Sequence, residues 1–169
     1  IAVASLAALA AGAAEARTLR IAPGAPPVHP AANPLYETFA IFLPEETNGE
    51  LDGALIGPEV VSVTQTKDAL QSSLAEVANL LPLFVPGDLP NTVLTADLAF
   101  LATTPHAMGA AMTEYVVTCD ECQAEFKEMG GVFVGAGSSD VYVLITTKPV
   151  NTLDDLQGLR LRSGGAPYA

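Results

Sequence analysis

The two cysteines of this 169-residue chain lie three positions apart, in the motif Cys119-Asp-Glu-Cys122. This C-x-x-C spacing is compatible with a redox motif, with half of a zinc site and with a local disulfide. A second pair of zinc ligands is missing, because the two histidines, His29 and His106, are far from the motif in sequence. The two acidic residues inside the motif disfavour a reactive thiolate. We therefore expect a structural disulfide or two unreactive thiols, rather than zinc binding or redox catalysis.

No other group of residues predicts catalysis. The sequence has no Ser/His/Asp order, no paired carboxylates and no Gly-rich phosphate loop, and Gly135-Ala-Gly137 lacks the third glycine and the helix that dinucleotide binding requires. We expect a protein that is not an enzyme and that holds no metal or cofactor. The composition also argues against nucleic-acid binding, because 7 Lys and Arg against 19 Asp and Glu give a net charge of −12, which would repel a phosphate backbone.

The first 16 residues are typical of a secretory leader. They are almost all small or apolar, and they end in Ala14-Glu15-Ala16, which is an A-x-A cleavage pattern. We expect a signal peptide, partial at its start, that is cleaved before Arg17; an Ala-rich N-terminal helix is the alternative. No later stretch is long and apolar enough to span a bilayer. The mature chain is thus expected to be exported without inserting into a membrane, to the periplasm in a Gram-negative cell, where oxidised cysteine pairs persist.

The hydrophobic pattern alternates between strand and helix periods along the chain. Half of the residues are hydrophobic, which is ample for a core. Pro44 should end or kink the first helix, and Thr47-Asn-Gly49 is a stop signal after it. Thr104-Pro105 should begin a later helix, and Thr152-Leu-Asp-Asp155 is close to a capping box that opens a single helical turn. This alternation predicts an α/β protein with a largely parallel sheet. The expected strands are 18–22, 50–57, 78–82, 132–135, 140–146 and 159–162, and the expected helices are 33–43, 66–76, one that begins at Thr104, and 120–129.

Arg162 is the residue most suited to recognise a ligand. It stands at the end of the last expected strand, beside Gly164-Gly165, and its side chain points away from the face of Leu159 and Leu161 if the strand is regular. From such a place a guanidinium can reach into a cleft, where its planar fork matches a carboxylate. The alternative is an exposed arginine at a strand end, which general burial tendencies favour.

The segment Pro149-Val-Asn-Thr-Leu-Asp-Asp-Leu-Gln-Gly-Leu-Arg-Leu-Arg162 resembles the "P-I-x-T-x-x-D-L-x-G-L-K-I-R" segment of the solute receptors of tripartite ATP-independent periplasmic (TRAP) transporters. Weaker similarities follow the family's order along the chain. They include the exported leader, the strand and Pro-rich loop with His29-Pro30, the Leu74–Ala78 step, the Pro86–Pro90 turn and the Asp97–Leu101 element. The resemblance covers most of residues 17–169, or about the N-terminal half of such a receptor.

The resemblance implies an α/β, periplasmic-binding-protein-like fold with two lobes, present here as a partial chain. Residues 17–137 would form the first lobe, and residues 138–169 a linker strand and the truncated start of the second lobe. The lobes would close around a small organic acid and deliver it to a separate TRAP membrane permease for uptake.

The resemblance also implies roles for four residues. Arg162 corresponds to the arginine that grips the ligand carboxylate. A further pocket arginine of several family members falls near Tyr142, which supplies no cation, so a less polar monocarboxylate such as a keto or aromatic acid fits as well as a dicarboxylate. His29 and Phe84 are expected on the pocket wall.

This sequence departs from the family pattern at one helix end, and other functions stay open. The acid of the family's "G-x-A-D-x-A" step is Glu76 here, and its usual glycine is Ser73. The alternatives to a TRAP receptor are an exported receptor of the ABC type, a thiol–disulfide enzyme that uses Cys119 and Cys122, and a structural secreted domain with no ligand.

Overall fold

The computed structural model of the chain describes residues 16–98, 101–139 and 143–162. Their contacts divide the chain into two compact units, with the division between Asn79 and Leu80. The lobe boundary expected after residue 137 lies inside the second unit and stays a prediction. The leader expected over residues 1–16 lies, apart from Ala16, outside the described residues.

The first unit is a small parallel α/β structure, and the expectation of this fold class is confirmed for it. Its three strands pair in the order β2-β1-β3, and both pairings are parallel. Its elements are β1 (Arg17–Ala22), a π-helical turn (Ala31–Glu37), α1 (Thr38–Glu46), β2 (Leu51–Leu55), α2 (Thr66–Gln71) and β3 (Val77–Ala78).

The carboxyl end of the central strand β1 is buried on both faces, because a helix packs on each side of it there. Ile21 and Ala22 are both fully buried, and as neighbours in a strand they point to opposite faces. Ile21 packs with Ala40 and Leu43 of α1, whereas Ala22 packs in a second cluster that includes Ala69 of α2. A strand with both faces covered is the usual core of an α/β sheet.

The first helix runs past the proline that was expected to end or kink it. Pro44 lies inside α1, which continues to Glu46. The fixed φ of proline suits a helix, and near the C-terminal end its missing N–H removes only one helical hydrogen bond. The helix ends where Asn48 and Gly49 adopt φ values of 51° and 80°, so the stop predicted at Thr47-Asn-Gly49 is confirmed.

The second unit is mainly helical in its described part. A cluster of Leu89, Val116, Cys122 and Phe126 forms its core, and the rings of Phe126 and Phe133 lie 5.3 Å apart. Its elements are a 3₁₀ turn (Pro82–Phe84), α3 (Leu94–Asp97), α4 (Pro105–Thr118), α5 (Asp120–Glu128) and a 3₁₀ turn (Leu153–Leu156).

Two predicted helix starts of this unit are confirmed by their hydrogen bonds. Thr104 Oγ1 accepts the N–H of Ala107 at 3.1 Å and caps α4. Asp155 closes the capping box with Thr152, whose backbone N–H it accepts at 2.8 Å. Both signals depend on atoms within one helical turn, which is why the sequence reveals them.

Three strand predictions in this unit are wrong for the described residues. Residues 132–135, 143–146 and 159–162 carry no strand, and Val132, Val134 and Ile145 are more than four-fifths exposed. β-branched residues favour extended backbone, but a strand exists only where a neighbouring segment completes the hydrogen-bond ladder. Residues 140–142 of the expected strand 140–146 lie outside the described residues. In the first unit, the strand expected over 78–82 is also shorter than predicted, since β3 ends at Ala78.

Candidate functional site: the carboxyl edge of the sheet

The parallel sheet of the first unit has a topological switch point beside β1. From β1 the chain crosses to β2 on one side, and from β2 it crosses back to β3 on the other side. β1 and β3 are thus parallel neighbours that are not consecutive in the chain, and their carboxyl ends lie at the same edge of the sheet. In open α/β sheets the crevice outside the carboxyl ends of two such strands is the usual place for a ligand.

The loop that follows β1 is held rigidly at this edge. Pro23 is fully buried, and Gly24 has a φ of +69°; a Cβ there would lie only 2.7 Å from Cα of Val63. Farther along, the N–H of His29 donates to the carbonyl of Pro26 at 2.8 Å, which closes a turn. The exposed His29 side chain is thus carried by a pre-organised loop, as a pocket-wall residue requires.

The same loop continues into an unusual helical turn. The carbonyl of His29 accepts the N–H of Ala32 at 2.9 Å, and a π-helical turn follows over Ala31–Glu37, with Pro34 inside it. π-Helical turns are rare and are frequent at functional sites. Burial raises the pKa of Tyr36 in this turn to about 12, because the residue packs against the core cluster of Ile21, Ala40 and Leu43.

Asn79 is the polar residue that follows β3 at this edge. Its N–H donates to the carbonyl of Ala22, the last residue of β1, at 3.0 Å, and the residue is half-buried. Sequence reasoning missed Asn79 because it assigned this residue to the interior of the expected strand 78–82. An amide, an imidazole and a rigid backbone can recognise the oxygen atoms of a small polar molecule.

Glu76, the acidic residue of the segment that resembles the family's "G-x-A-D-x-A" step, forms an ion pair with Arg20 inside the first unit. Arg20 Nη2 lies 2.7 Å from Glu76 Oε1 and Arg20 Nε lies 3.2 Å from Oε2, and the backbone N–H of Arg20 also donates to Oε2 at 2.7 Å. These hydrogen bonds lower the pKa of Glu76 to about 2. Arg20 Nη2 donates in addition to the carbonyl of Ser73 at 2.6 Å. Ser73 has a φ of 56°, a conformation that suits the glycine of the family pattern.

The four predicted ligand-binding residues do not form one described site. His29 belongs to the first unit, and Phe84 and Arg162 belong to the second unit. Tyr142 lies outside the described residues. Phe84 ends a 3₁₀ turn and is 37% exposed, so its ring is accessible on the surface of its unit.

Arg162 is exposed and lies on irregular backbone rather than at the end of a strand. Within the described part of the chain, its side chain takes part in no hydrogen bond and no ion pair. Its neighbour Arg160 is exposed in the same way.

Glu125 is an important charged residue of the second unit that sequence reasoning missed. It is only 7% exposed, and it accepts hydrogen bonds from the backbone and side chain of both Asn91 and Thr92, at 2.6 to 3.1 Å. Burial alone would raise the pKa of this carboxyl, but the four hydrogen bonds outweigh burial and lower it. All of its bonds are internal, so Glu125 is structural.

The two cysteines are joined by a disulfide, with an S–S distance of 2.10 Å. Cys119 precedes α5 and Cys122 lies in its first turn. Among residues 16–98, 101–139 and 143–162, no three His, Cys, Asp or Glu side chains could hold a metal ion together. In the same residues no helix combines the length and hydropathy needed to cross a bilayer.

A shallow, open groove lies on the second unit between α4 and residues 136–138. Thr113 holds the two segments together, because its Oγ1 donates to the carbonyl of Gly109 at 2.8 Å and accepts the N–H of Ala136 at 3.0 Å. His106 and Glu114 stand exposed along the groove. No buried polar group points to a ligand there.

No protein-family model, no curated protein and no solved structure matches this chain.

Proposed function

We propose that this chain belongs to an exported solute receptor of the TRAP class, with a two-lobed periplasmic-binding-protein-like fold. It binds a small organic acid in the periplasm and delivers it to a separate membrane permease. Capture and release of the acid require no covalent step and no cofactor. The observation that carries the proposal is the exposed Arg162 guanidinium, which has no internal partner in the described residues and ends the segment most similar to the family.

The availability of Arg162 matters because the chain has few cations. Seven Lys and Arg residues oppose 19 Asp and Glu, so acidic partners for an arginine are abundant. Arg20 has such a partner in Glu76. An arginine without a partner among the described residues of so acidic a chain is suited to an external anion, and its fork can hold a carboxylate through two parallel hydrogen bonds.

The parallel sheet of the first unit supports the same function. Receptors of this kind bind their ligand at the carboxyl edge of α/β sheets, and the loop with His29 and the residue Asn79 occupy that edge here. In the proposal Arg162 supplies the charge that binds the carboxylate. The absence of a cation at Tyr142 favours a monocarboxylate with an apolar body, such as a keto or aromatic acid. Closure of the lobes then follows from ligand contacts that exist only in the closed state.

The test is binding of a defined panel of acids to the full-length chain. We expect a 2-keto or aromatic monocarboxylate to raise the melting temperature, because a ligand of the native state stabilises it by mass action. Calorimetry then gives the affinity of Arg162→Lys, with Arg160→Lys as the matched control. Loss of a charge-assisted bond costs about 1.5–3 kcal/mol, or roughly ten- to hundredfold in Kd, whereas the control should bind normally. Unchanged affinity in Arg162→Lys would refute the role of this residue, and a panel with no ligand would refute the function.

A further inference from the structure

Cys119 occupies the junction of two helices of the second unit. It is the residue that ends α4 and also the N-cap residue of α5, with extended backbone at φ −97° and ψ 107°. Its Sγ accepts the backbone N–H of Cys122 at 3.0 Å. A sulfur atom therefore fills the place that a serine or aspartate oxygen takes at most helix starts. Because the amides of the first turn carry partial positive charge, a thiolate at this position would be stabilised.

The two sulfur-bearing residues differ sharply in accessibility. Cys122 is fully buried and packs in the core cluster with Leu89, Val116 and Phe126. Cys119 packs against the same cluster but is only partly buried. Of the two residues, Cys119 is thus the one with surface that a reagent in solution can reach, whereas Cys122 is shielded by the apolar core.

We propose that the Cys119–Cys122 disulfide is competent for thiol–disulfide exchange, with Sγ of Cys119 as the atom that external thiols attack. Its substrates are accessible thiols and disulfides, with a dithiol as the reductant. This activity is independent of the organic-acid site. It differs from the sequence expectation of an unreactive pair, because the sequence did not reveal that one sulfur caps a helix while the other is buried.

The exchange balances as two successive displacements. A thiolate of the dithiol bonds to Sγ of Cys119, the disulfide bond breaks, and the Cys122 sulfur leaves and takes up a proton. The second thiolate of the dithiol then attacks the dithiol sulfur that is bonded to Cys119 in the mixed disulfide, and Cys119 leaves as a thiolate. The dithiol is oxidised to a disulfide, and two electrons pass to the cysteine pair.

The negative charges of two nearby carboxylates disfavour the thiolate form of Cys119, and these carboxylates provide a control. Asp120 and Glu121 lie in the first turn of α5, and both are exposed, so water and salt screen their charge. The amide of Cys122 is in direct contact with the Cys119 sulfur and is not screened in this way. Neutralising Glu121 should therefore accelerate a reaction of Cys119 only slightly, and neutralising Glu128 at the other end of the helix should leave its rate unchanged.

The first experiment compares Cys122→Ser, which keeps only Cys119, with Cys119→Ser, which keeps only Cys122. Each variant is treated with an aromatic disulfide reagent, folded and in urea. In the folded chain we expect Cys119 to react about tenfold faster or more, since buried thiols are inert and accessible ones at helix starts are reactive. The difference should vanish in urea. Equal rates in the folded chain, or faster reaction of Cys122, would overturn the proposal. Within the Cys122→Ser background, Glu121→Gln should react only slightly faster than Glu128→Gln, because the Glu121 charge is screened. A much larger acceleration would mean that the carboxylates outweigh the helix start and would contradict stabilisation of the thiolate there.

A second experiment uses the unaltered full chain, in case a serine at position 122 disturbs the core. The protein is reduced with dithiothreitol in native buffer, alkylated briefly and digested for mass spectrometry. We expect reduction without loss of the circular dichroism spectrum, first alkylation at Cys119, and a glutathione adduct on Cys119 during re-oxidation. A disulfide that can be reduced only under conditions that unfold the chain would show that it is purely structural.

Discussion

The carboxylate of Glu125 accepts hydrogen bonds from both the backbone N–H and the hydroxyl of Thr92, at 3.1 and 2.7 Å. The two residues are 33 positions apart in sequence, so this contact joins α5 to the turn before α3. Asn91 donates two more hydrogen bonds to the other carboxylate oxygen. The buried charge is thereby fully satisfied by donors that would otherwise lack partners.

Replacing Glu125 by glutamine should destabilise the chain. A glutamine has one acceptor oxygen and one NH₂ group, so the backbone N–H of either Asn91 or Thr92 would face the NH₂ group in a nearly buried site. We expect a loss of about 1–3 kcal/mol in the free energy of unfolding, measured by urea denaturation. Glu128→Gln is the control, because Glu128 is exposed one turn further along α5. Equal stability of the two variants would contradict the structural role of Glu125.

The ion pair of Arg20 and Glu76 predicts a dependence of stability on pH. The pKa of Glu76 is lowered from 4.5 to about 2 in the folded chain by its hydrogen bonds with Arg20. A group whose folded pKa is depressed stabilises the fold above its unfolded pKa and loses that contribution as the pH falls through the folded value. The stabilisation is thus fully present at pH 7 and is lost between about pH 4.5 and pH 2.

The check is a comparison of Glu76→Gln with Glu46→Gln, an exposed acid at the end of α1. Glu76→Gln should lower the melting temperature at pH 7, and its difference from the unaltered chain should shrink as the pH approaches 2. The effect should also be smaller in high salt, since the Arg20 side chain is 46% exposed. A difference that stays constant down to pH 2 would argue against this ion pair as its source.

Gly53 marks the closest approach of the sheet to α1. A Cβ at this position would lie 2.7 Å from Cβ of Ala40 and 3.0 Å from Cδ1 of Ile21. Gly53→Ala should therefore force the helix away from β2, at a cost of about 1–3 kcal/mol in stability. Gly87→Ala is the matched control, because a Cβ there would meet nothing within 4 Å. If thermal unfolding gave the same midpoint for both variants, the close packing of α1 on β2 would be wrong.

Sequence reasoning predicted those parts of the fold that depend only on residues close together in the sequence. The cap at Thr104 and the capping box of Thr152 and Asp155 each need only atoms within one turn. The first two strands were also recognised, because their alternation is intrinsic to the segment. For the candidate site, His29 was identified on its loop, but Asn79 was not, since its place beside β1 follows from strand order alone.

The amino-acid sequence by itself determined the acidic character, the parallel α/β class of the first unit, the starts of α4 and of the 3₁₀ turn Leu153–Leu156, and the proximity of the two cysteines. Only the tertiary structure decided which extended segments became strands, and residues 132–135 and 159–162 did not. It also decided which charges have internal partners: Glu76 meets Arg20 across 56 positions, whereas Arg162 meets no partner in the described residues. Local hydrogen bonds are specified by a few adjacent residues, but strand pairing and ion pairing depend on the path of the whole chain, which no short pattern encodes.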